Sequence, residues 1–540
     1  MSDMASRGLE PAEARPYVLP EQRTRGAAIA AFAVLGAASL WHVAALLGFS
    51  FWAIRYPYGL DFGEGIVWQQ MRLVVSGQAF GPLDGFPVMV INYTPLYYLA
   101  TSGFASVTGI GELAAGRTVS LLCLFIAAGL GSAIVFRSLA AEASRRVAAI
   151  GAAVAASVML GNYPVLFWTP LMRVDMLALA FSFAGLYLAL RAFERPAFVY
   201  AAAIAFVCAV YTKQIMVAAP AASFLVMLIL RPRTAAAGIA TCIALGLAIL
   251  LGMNWVTDGG FSRHVFGYNA STVNLKQLLL VPMQMAIHSV FFGLAFFAMH
   301  GRSRSLVRDV RSAGGWRAAR DLVLADRART TLLVLLAYFA FSGAMLLTIA
   351  KSGANQNYVI EWLFVTAMFV GLSISDAARL VGRDYASAAA VKAPALAIVA
   401  VAALAAQMLV LPTNRFDRLE PLAPRAEMDR LAALVKAADK PIISDEMVML
   451  LQMGKQVILE PCMPTLARVG LYDNRPYIAK IRRGDFAFFI TFRERGEETF
   501  DSRYDPEVAD AMDEAYPVKR RLAGYTLHLP AHSSEARRHP

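Results

Sequence analysis

Apolar runs dominate the first three quarters of the chain. They fall at about 27–50, 113–136, 147–161, 172–190, 197–212, 215–230, 235–255, 277–299, 331–350, 358–375 and 393–411. Most approach the length of roughly 18–20 residues needed for a helix to cross a hydrocarbon core. The pattern predicts about eleven membrane-spanning helices. The connections then alternate in charge. With the N-terminus inside, the inner loops carry Arg137, Arg145 and Arg146, then Arg191 and Arg195, Arg231 and Arg233, the stretch from Arg302 to Arg329, and Arg379, Arg383 and Lys392. The outer loops carry only scattered cations such as Arg55, Lys213 and Lys351. This is the bias expected of cytoplasmic loops. An odd number of spans leaves the C-terminus outside.

Between the first two runs, residues 55–112 are too patterned for a linker. In "GEGIVWQQMRLVVSG", Ile66, Val67, Met71, Val74 and Val75 share one helical face, with Gln69, Gln70, Arg72 and Ser76 opposite. That periodicity predicts an amphipathic helix lying on the membrane. "TPLYYLATSGFASVTG" predicts a second, with Tyr97 and Tyr98 at headgroup depth. From about Pro412 the pattern changes again. "PIISD", "KQVILEP" and "DFAFFITF" predict short buried strands, alternating with helices around Ala426–Ala437, Met447–Met453 and Pro506–Glu514. The expected architecture is an α-helical polytopic membrane protein with a small extracytoplasmic α/β domain. Residues 1–26 form a cytoplasmic tail, 27–411 the membrane part, 412–530 the α/β domain, expected to fold as a separate unit, and 531–540 a disordered tail.

Composition agrees with this picture. Of 540 residues, 58% are hydrophobic and 16% charged, with a mean hydropathy of +0.53. The net charge of +12 is spread among loops instead of forming one patch, which argues against a nucleic-acid partner. Cys123, Cys208, Cys242 and Cys462 have neither metal-ligand spacing nor a disulfide pattern. His42 and His288 lie within apolar runs and suit packing roles.

The candidate chemistry lies on the outer side. Asp61 and Glu64 precede the first amphipathic helix. Their spacing first suits helix capping, and second a general base that takes an acceptor proton. Arg173 and Asp175 in "LMRVDML" stand at the outer end of a span, where ionisable groups are usually paired or functional. Lys213 occupies a minimal outer turn, "YTKQ", where a fixed phosphate would justify it. "KSGANQNYVIEW" concentrates Lys351, Asn355, Asn357 and Tyr358 in another outer turn suited to sugar hydroxyls and phosphate oxygens. Arg263, His264 and Tyr268 form a weaker cluster, and Asn92 and Asn269 head N-x-S/T sequons.

The order of a large acidic first loop, "NYTPLYYL", "GELAAGRTVSLL" and a Thr-Lys turn resembles the GT-C membrane glycosyltransferases. That superfamily includes the protein O-mannosyltransferases and the aminoarabinose transferase of lipid A. The resemblance covers roughly 27–375. Here "DFGEG" spaces the two carboxylates apart, Trp68 stands near a Tyr position of the family, and Asn92 to Leu96 replaces a Pro-Pro-Leu element, while Arg117 matches an Arg at the start of the next span. The resemblance implies an inverting transferase of the bacterial inner membrane. Its donor would be a polyprenyl-phosphate sugar, and its acceptor an extracytoplasmic glycan, lipid or protein. Asp61 or Glu64 would be the base, with Asn92 and Arg117 among the substrate-binding residues. No cofactor is expected, and a divalent metal stays open. A transporter or flippase is the alternative, although no twofold repeat of spans stands out. A non-catalytic scaffold would tolerate loss of both carboxylates.

Overall fold

The computed structural model describes residues 21–269, 273–351, 353–381, 388–413, 423–460 and 463–531. Most of the expected N-terminal tail, Arg383, Cys462 and all but the first residue of the expected tail 531–540 lie outside the described residues, as does the side chain of Lys392.

Each of the eleven apolar runs coincides with a helix. The first part comprises α1 (Glu21–Arg55), α4 (Glu112–Leu139), α5 (Arg145–Leu160), α7 (Asp175–Ala192), α8 (Phe198–Val210), α9 (Ala218–Leu230) and α10 (Pro232–Val256). The rest are the bent pair α12 (Leu280–Ile287) and α13 (Ser289–Ser312), then α15 (Arg327–Met345), α16 (Ile360–Val381) and α17 (Ala388–Val410). Among the described residues seven helices are long and apolar enough to cross a membrane, or eight if the pair bent by 79° counts as one. Of the others, α5 has 16 residues, close to its expected run. The runs at 197–212 and 215–230 form helices of only 13 residues each, because the chain leaves the helix between them to make the turn that holds Lys213.

Burial ranks these helices. In α16, 94% of the apolar window is buried, against 6% in α10. The closest packing around α16 uses glycine: a methyl group at Gly371 would overlap the Gly151 carbonyl of α5. Small residues allow this backbone approach, a common way for helices to associate in a membrane.

The first loop holds α2 (Phe62–Val75) and α3 (Leu96–Thr108). The two differ in burial: α3 leaves Leu99 and Val107 exposed, whereas α2 is covered on both faces. In α2 the polar positions Gln69 and Gln70 are buried with the apolar ones. Gln70 donates to the Val90 carbonyl at 2.6 Å and accepts from the Tyr98 hydroxyl at 2.6 Å. Tyr97 and Tyr98 are fully buried against the rest of the first loop and α4, with the Tyr97 hydroxyl donating to the Gly116 carbonyl at 3.1 Å. Short helices α6 (Tyr163–Trp168) and α11 (Gly260–Ser262) lie at the end that carries the first loop, and α14 (Trp316–Ala325) lies in the Arg-rich stretch between α13 and α15.

The tail holds α18 (Arg425–Ala437), α19 (Met447–Gln452), α20 (Met463–Arg468), α21 (Arg475–Arg482), α22 (Glu498–Asp501) and α23 (Pro506–Ala515). Its sheet comprises β1 (Ile443–Ser444), β2 (Phe489–Thr491), β3 (Val518–Leu522) and β4 (Tyr525–Leu529), in the order β1-β2-β4-β3. β1 and β2 are parallel, and the other pairs antiparallel. "PIISD" and "DFAFFITF" form β1 and β2 as expected. "KQVILEP" does not join the sheet; its Leu459 makes an isolated bridge with Val88 of the first loop. The β3–β4 hairpin was not anticipated. Its turn places Ala523 and Gly524 both at positive φ, the conformation of a tight hairpin turn.

Strand β2 explains how the tail docks. Phe489 joins the cluster formed with Tyr477, Met512 and Tyr516, while Phe488 and Ile490 join the core continuous with the membrane part. Alternate side chains point to opposite faces, so a strand apolar at every position is buried on both. The tail therefore shares a core with the first loop, which bears against its expected independence.

Candidate functional site

The acidic motif divides into two different environments. Glu64 is fully buried and satisfied by four donors: the backbone amides of Leu60 and Met172, both at 2.8 Å, and Arg117 through Nε at 2.8 Å and Nη2 at 2.7 Å. Arg117 also donates to the carbonyls of Ala53, Tyr56 and Tyr58. Burial alone would raise the Glu64 carboxyl, but Arg117 and the two amides hold it below the usual carboxylate value. A carboxylate with every oxygen engaged and no exposure cannot meet an acceptor hydroxyl. Glu64 and Arg117, expected in the catalytic and substrate-binding sets, instead tie the end of α1 to α2 and α4.

Asp61 is the reverse. It caps α2, accepting from the Gly63 amide at 3.0 Å, and its side chain keeps about 20% exposure. Its Oδ1 also receives Arg173 Nη1 at 3.3 Å. Arg173 in turn stacks on Trp168, with 4.9 Å from its guanidinium carbon to the ring centroid. The two glycines of "DFGEG" make this geometry accessible. A methyl group at Gly63 would overlap the Arg173 guanidinium, and one at Gly65 would come within 2.5 Å of Met447 Cβ in the tail.

A cavity of about 430 Å³ opens beside this motif. Phe62, Gly63, Asn92, Tyr93, Arg173, Lys213, Gln214, Lys351 and Tyr358 contribute to its lining. Five of the expected site residues, Asn92, Arg173, Lys213, Lys351 and Tyr358, therefore converge, while Asp61 borders it through its neighbours Phe62 and Gly63. Lys213 is nearly inaccessible. Its Nζ donates to Asp175 Oδ1 at 2.6 Å and lies 4.7 Å from the centre of the Tyr358 ring. Asn357 donates to the same carboxylate oxygen at 2.7 Å. Asp175 and Asn357 stand behind Lys213 and do not line the cavity. Asn355 does not line it either: it is exposed and caps the short helical turn Gln356–Val359. Lys351 donates to Asn269 at 2.5 Å and makes no ion pair among the described residues. Burial lowers its pKa from the ordinary lysine value. A phosphate would compensate that buried charge.

Two contributors were missed in the sequence: Glu460 and Thr465 bring the tail into the cavity wall. Tyr268, from the weaker cluster after α10, also lines it. Glu460 Oε2 accepts from the Val90 amide at 2.9 Å, and its own amide donates to the Val88 carbonyl at 3.1 Å. Only the pairing of residues hundreds of positions apart brings it here. His264 is a clamp: its Nδ1 accepts from the Ile91 amide at 3.0 Å, and its Nε2 lies 2.6 Å from the Gly81 carbonyl. Arg263 turns away to the Asp258 carbonyl. His42 and His288 make backbone contacts to Met408 and Gln284 as packing residues would. Among the described residues no group of three or more His, Cys, Asp or Glu side chains is arranged to hold a metal ion.

No protein-family profile and no curated protein matches the chain. Solved structures do. ArnT from Cupriavidus metallidurans in the apo state superposes with a TM-score of 0.55 at 12% identity, over 90% of this chain and 97% of that one. The same protein bound to undecaprenyl phosphate gives 0.53 at 13%, over 84% and 92%. The apo oligosaccharyltransferase of Archaeoglobus fulgidus gives 0.50 at 11%, over 85% and 69%. The chain is a multi-pass membrane protein with a GT-C-like fold and a small C-terminal sheet domain.

Proposed function

We propose that the protein transfers a sugar from a polyprenyl-phosphate donor to an acceptor at the outer membrane face, with Asp61 as general base. The observation that carries this is the cavity itself. It gathers Arg173, Lys213 and Lys351 beside a partly exposed carboxylate at a helix N-terminus. The GT-C-like fold supports it, since one structural neighbour binds undecaprenyl phosphate and another is an oligosaccharyltransferase.

In the proposed reaction the acceptor oxygen attacks the anomeric carbon and its proton passes to Asp61. The bond from that carbon to the phosphate oxygen breaks with inversion. The polyprenyl phosphate leaves carrying the negative charge, which Lys351 and Arg173 stabilise. Lys213 adds positive potential from behind, although Asp175 already neutralises much of it. The acceptor faces the extracytoplasmic side, and the membrane is the inner membrane of a bacterium.

The test is to incubate purified protein in lipid nanodiscs with a panel of radiolabelled polyprenyl-phosphate sugars. Release of free polyprenyl phosphate with label on an acceptor or on water is expected for at least one donor. Failure of every donor to react, together with absence of undecaprenyl phosphate binding, overturns the proposal.

A further inference from the structure

A second cavity, of about 340 Å³, adjoins the first, and Tyr268 lines both. One extended segment also borders both, through Val90 in the first and Val88 in the second. Val88 and Val90 share an apolar cluster, while Met89 between them joins another, as the alternation of an extended chain requires. Side chains two residues apart on such a segment are separated by about 7 Å. The segment is held in place by the tail: the Val88 amide donates to the Ile458 carbonyl at 2.8 Å. The two cavities are therefore successive stretches along one floor.

Their chemistry differs. The first carries three cations, whereas the second has no Lys or Arg in its lining. It offers the rings of Phe86, Tyr268 and Tyr472 and the carboxylates of Asp84 and Asp473. Lys480 covers a face of Phe86, which leaves the two tyrosines as the available rings. Asp473 is held by Arg475, while Asp84 makes no ion pair among the described residues. The carboxylates disfavour a phosphate or another anion. Aromatic faces suit the C–H faces of a sugar ring, and carboxylates accept from its hydroxyls.

We propose that the acceptor is a neutral carbohydrate chain. Its reacting hydroxyl lies beside Asp61, and its neighbouring sugars occupy the second cavity between Tyr268 and Tyr472. This assignment rests on the glycosyl-transfer function proposed above.

The test uses full-length protein in lipid nanodiscs and saturation-transfer NMR. The probes are four neutral trisaccharides, built of mannose, galactose, glucose or arabinose, and a Ser/Thr-rich decapeptide. At least one trisaccharide should bind the wild type. Tyr472→Ala should weaken it by about fivefold or more, as loss of an aromatic anchor typically does, and Tyr472→Phe should retain most binding. Undecaprenyl phosphate binding, measured on the same samples, should stay unchanged in both variants, confirming that they are folded. Asp84→Asn, on an exposed loop, supplies a second weakened variant should Tyr472→Ala not fold. Lipid binding also separates the two proposals, because it tests the donor site and not this cavity. The carbohydrate assignment is overturned if no trisaccharide binds, if binding survives both Tyr472→Ala and Asp84→Asn, or if only the peptide binds in a Tyr472-dependent way.

Discussion

The arginine-rich face around Arg302 and the cavity around Lys213 both cluster charge, but on different terms. At the first face, Arg302 pairs with Glu142 at 3.1 Å and Asp376 at 2.8 Å, while Arg329 pairs with Asp309 at 2.8 Å. Arg379 likewise pairs with Glu142, and most of these side chains remain partly exposed. At the second, Lys213 and Asp175 are buried to within a few per cent, and Lys351 has no carboxylate partner among the described residues. The larger cluster is thus internally compensated, whereas the proposed ligand site rests on burial without full compensation. The larger cluster is the less informative one about chemistry.

The largest expected effect is at Asp61. Asp61→Asn keeps the cap, since Asn caps a helix as well as Asp. Thermal stability should hold while turnover of a polyprenyl-phosphate sugar falls about 10²–10⁴-fold. Near-normal turnover would reduce Asp61 to a cap and remove the chemical half of the contrast.

Glu64→Gln should act on stability. It leaves the buried Arg117 guanidinium without its partner, which typically costs about 3–5 kcal/mol and should appear as a lower Tm. The acid response should change as well. The folded-state pKa of Glu64 is depressed, so its contribution is present above the ordinary value of 4.5 and is lost as pH falls through the depressed value. The variant should lack that component of acid destabilisation. A wild-type Tm in Glu64→Gln would contradict the structural assignment of the pair.

Lys351→Ala should weaken undecaprenyl phosphate binding by about tenfold or more, the scale of a charge-assisted hydrogen bond. In the wild type, binding should decline as pH rises through the lowered pKa of Lys351, below the ordinary lysine value of 10.5. Calorimetric titration across pH checks both. An unchanged affinity in Lys351→Ala would mean that the unpaired cation is not a ligand group.

The smallest effect belongs to the other face. Arg302→Gln should change stability by no more than about 1 kcal/mol, because partly exposed pairs contribute little, and turnover should stay within about threefold of wild type. A collapse of turnover would erase the distinction between the two clusters.

Periodicity located every apolar helix and the change of character near residue 412, because segment length and hydrophobicity are local properties. It overstated the spans at 197–212 and 215–230, where composition does not reveal the break that presents Lys213. In α2 the amphipathic pattern identified one buried face but not that Gln69 and Gln70 on the other are buried too. The same limit hid the β3–β4 hairpin, whose strand β3 is rich in Lys and Arg.

Residue types alone brought Asp61, Arg173, Lys213, Lys351, Asn92 and Tyr358 under suspicion, since ionisable and polar groups at a membrane boundary are costly and stand out. Separating Asp61 from Glu64 required the fold. Their spacing is the same to any local argument, and only Arg117, 53 residues beyond Glu64, decides which carboxylate is engaged. Glu460 was out of reach for a similar reason. Nothing near it in sequence resembles a site, and it reaches one only because the tail pairs with Val88. Hydrophobic pattern and charge determined the membrane character of this chain by themselves. The identity of the free carboxylate and the walls of the cavity were decided by long-range packing, because availability to a ligand depends on which partners have already claimed a group.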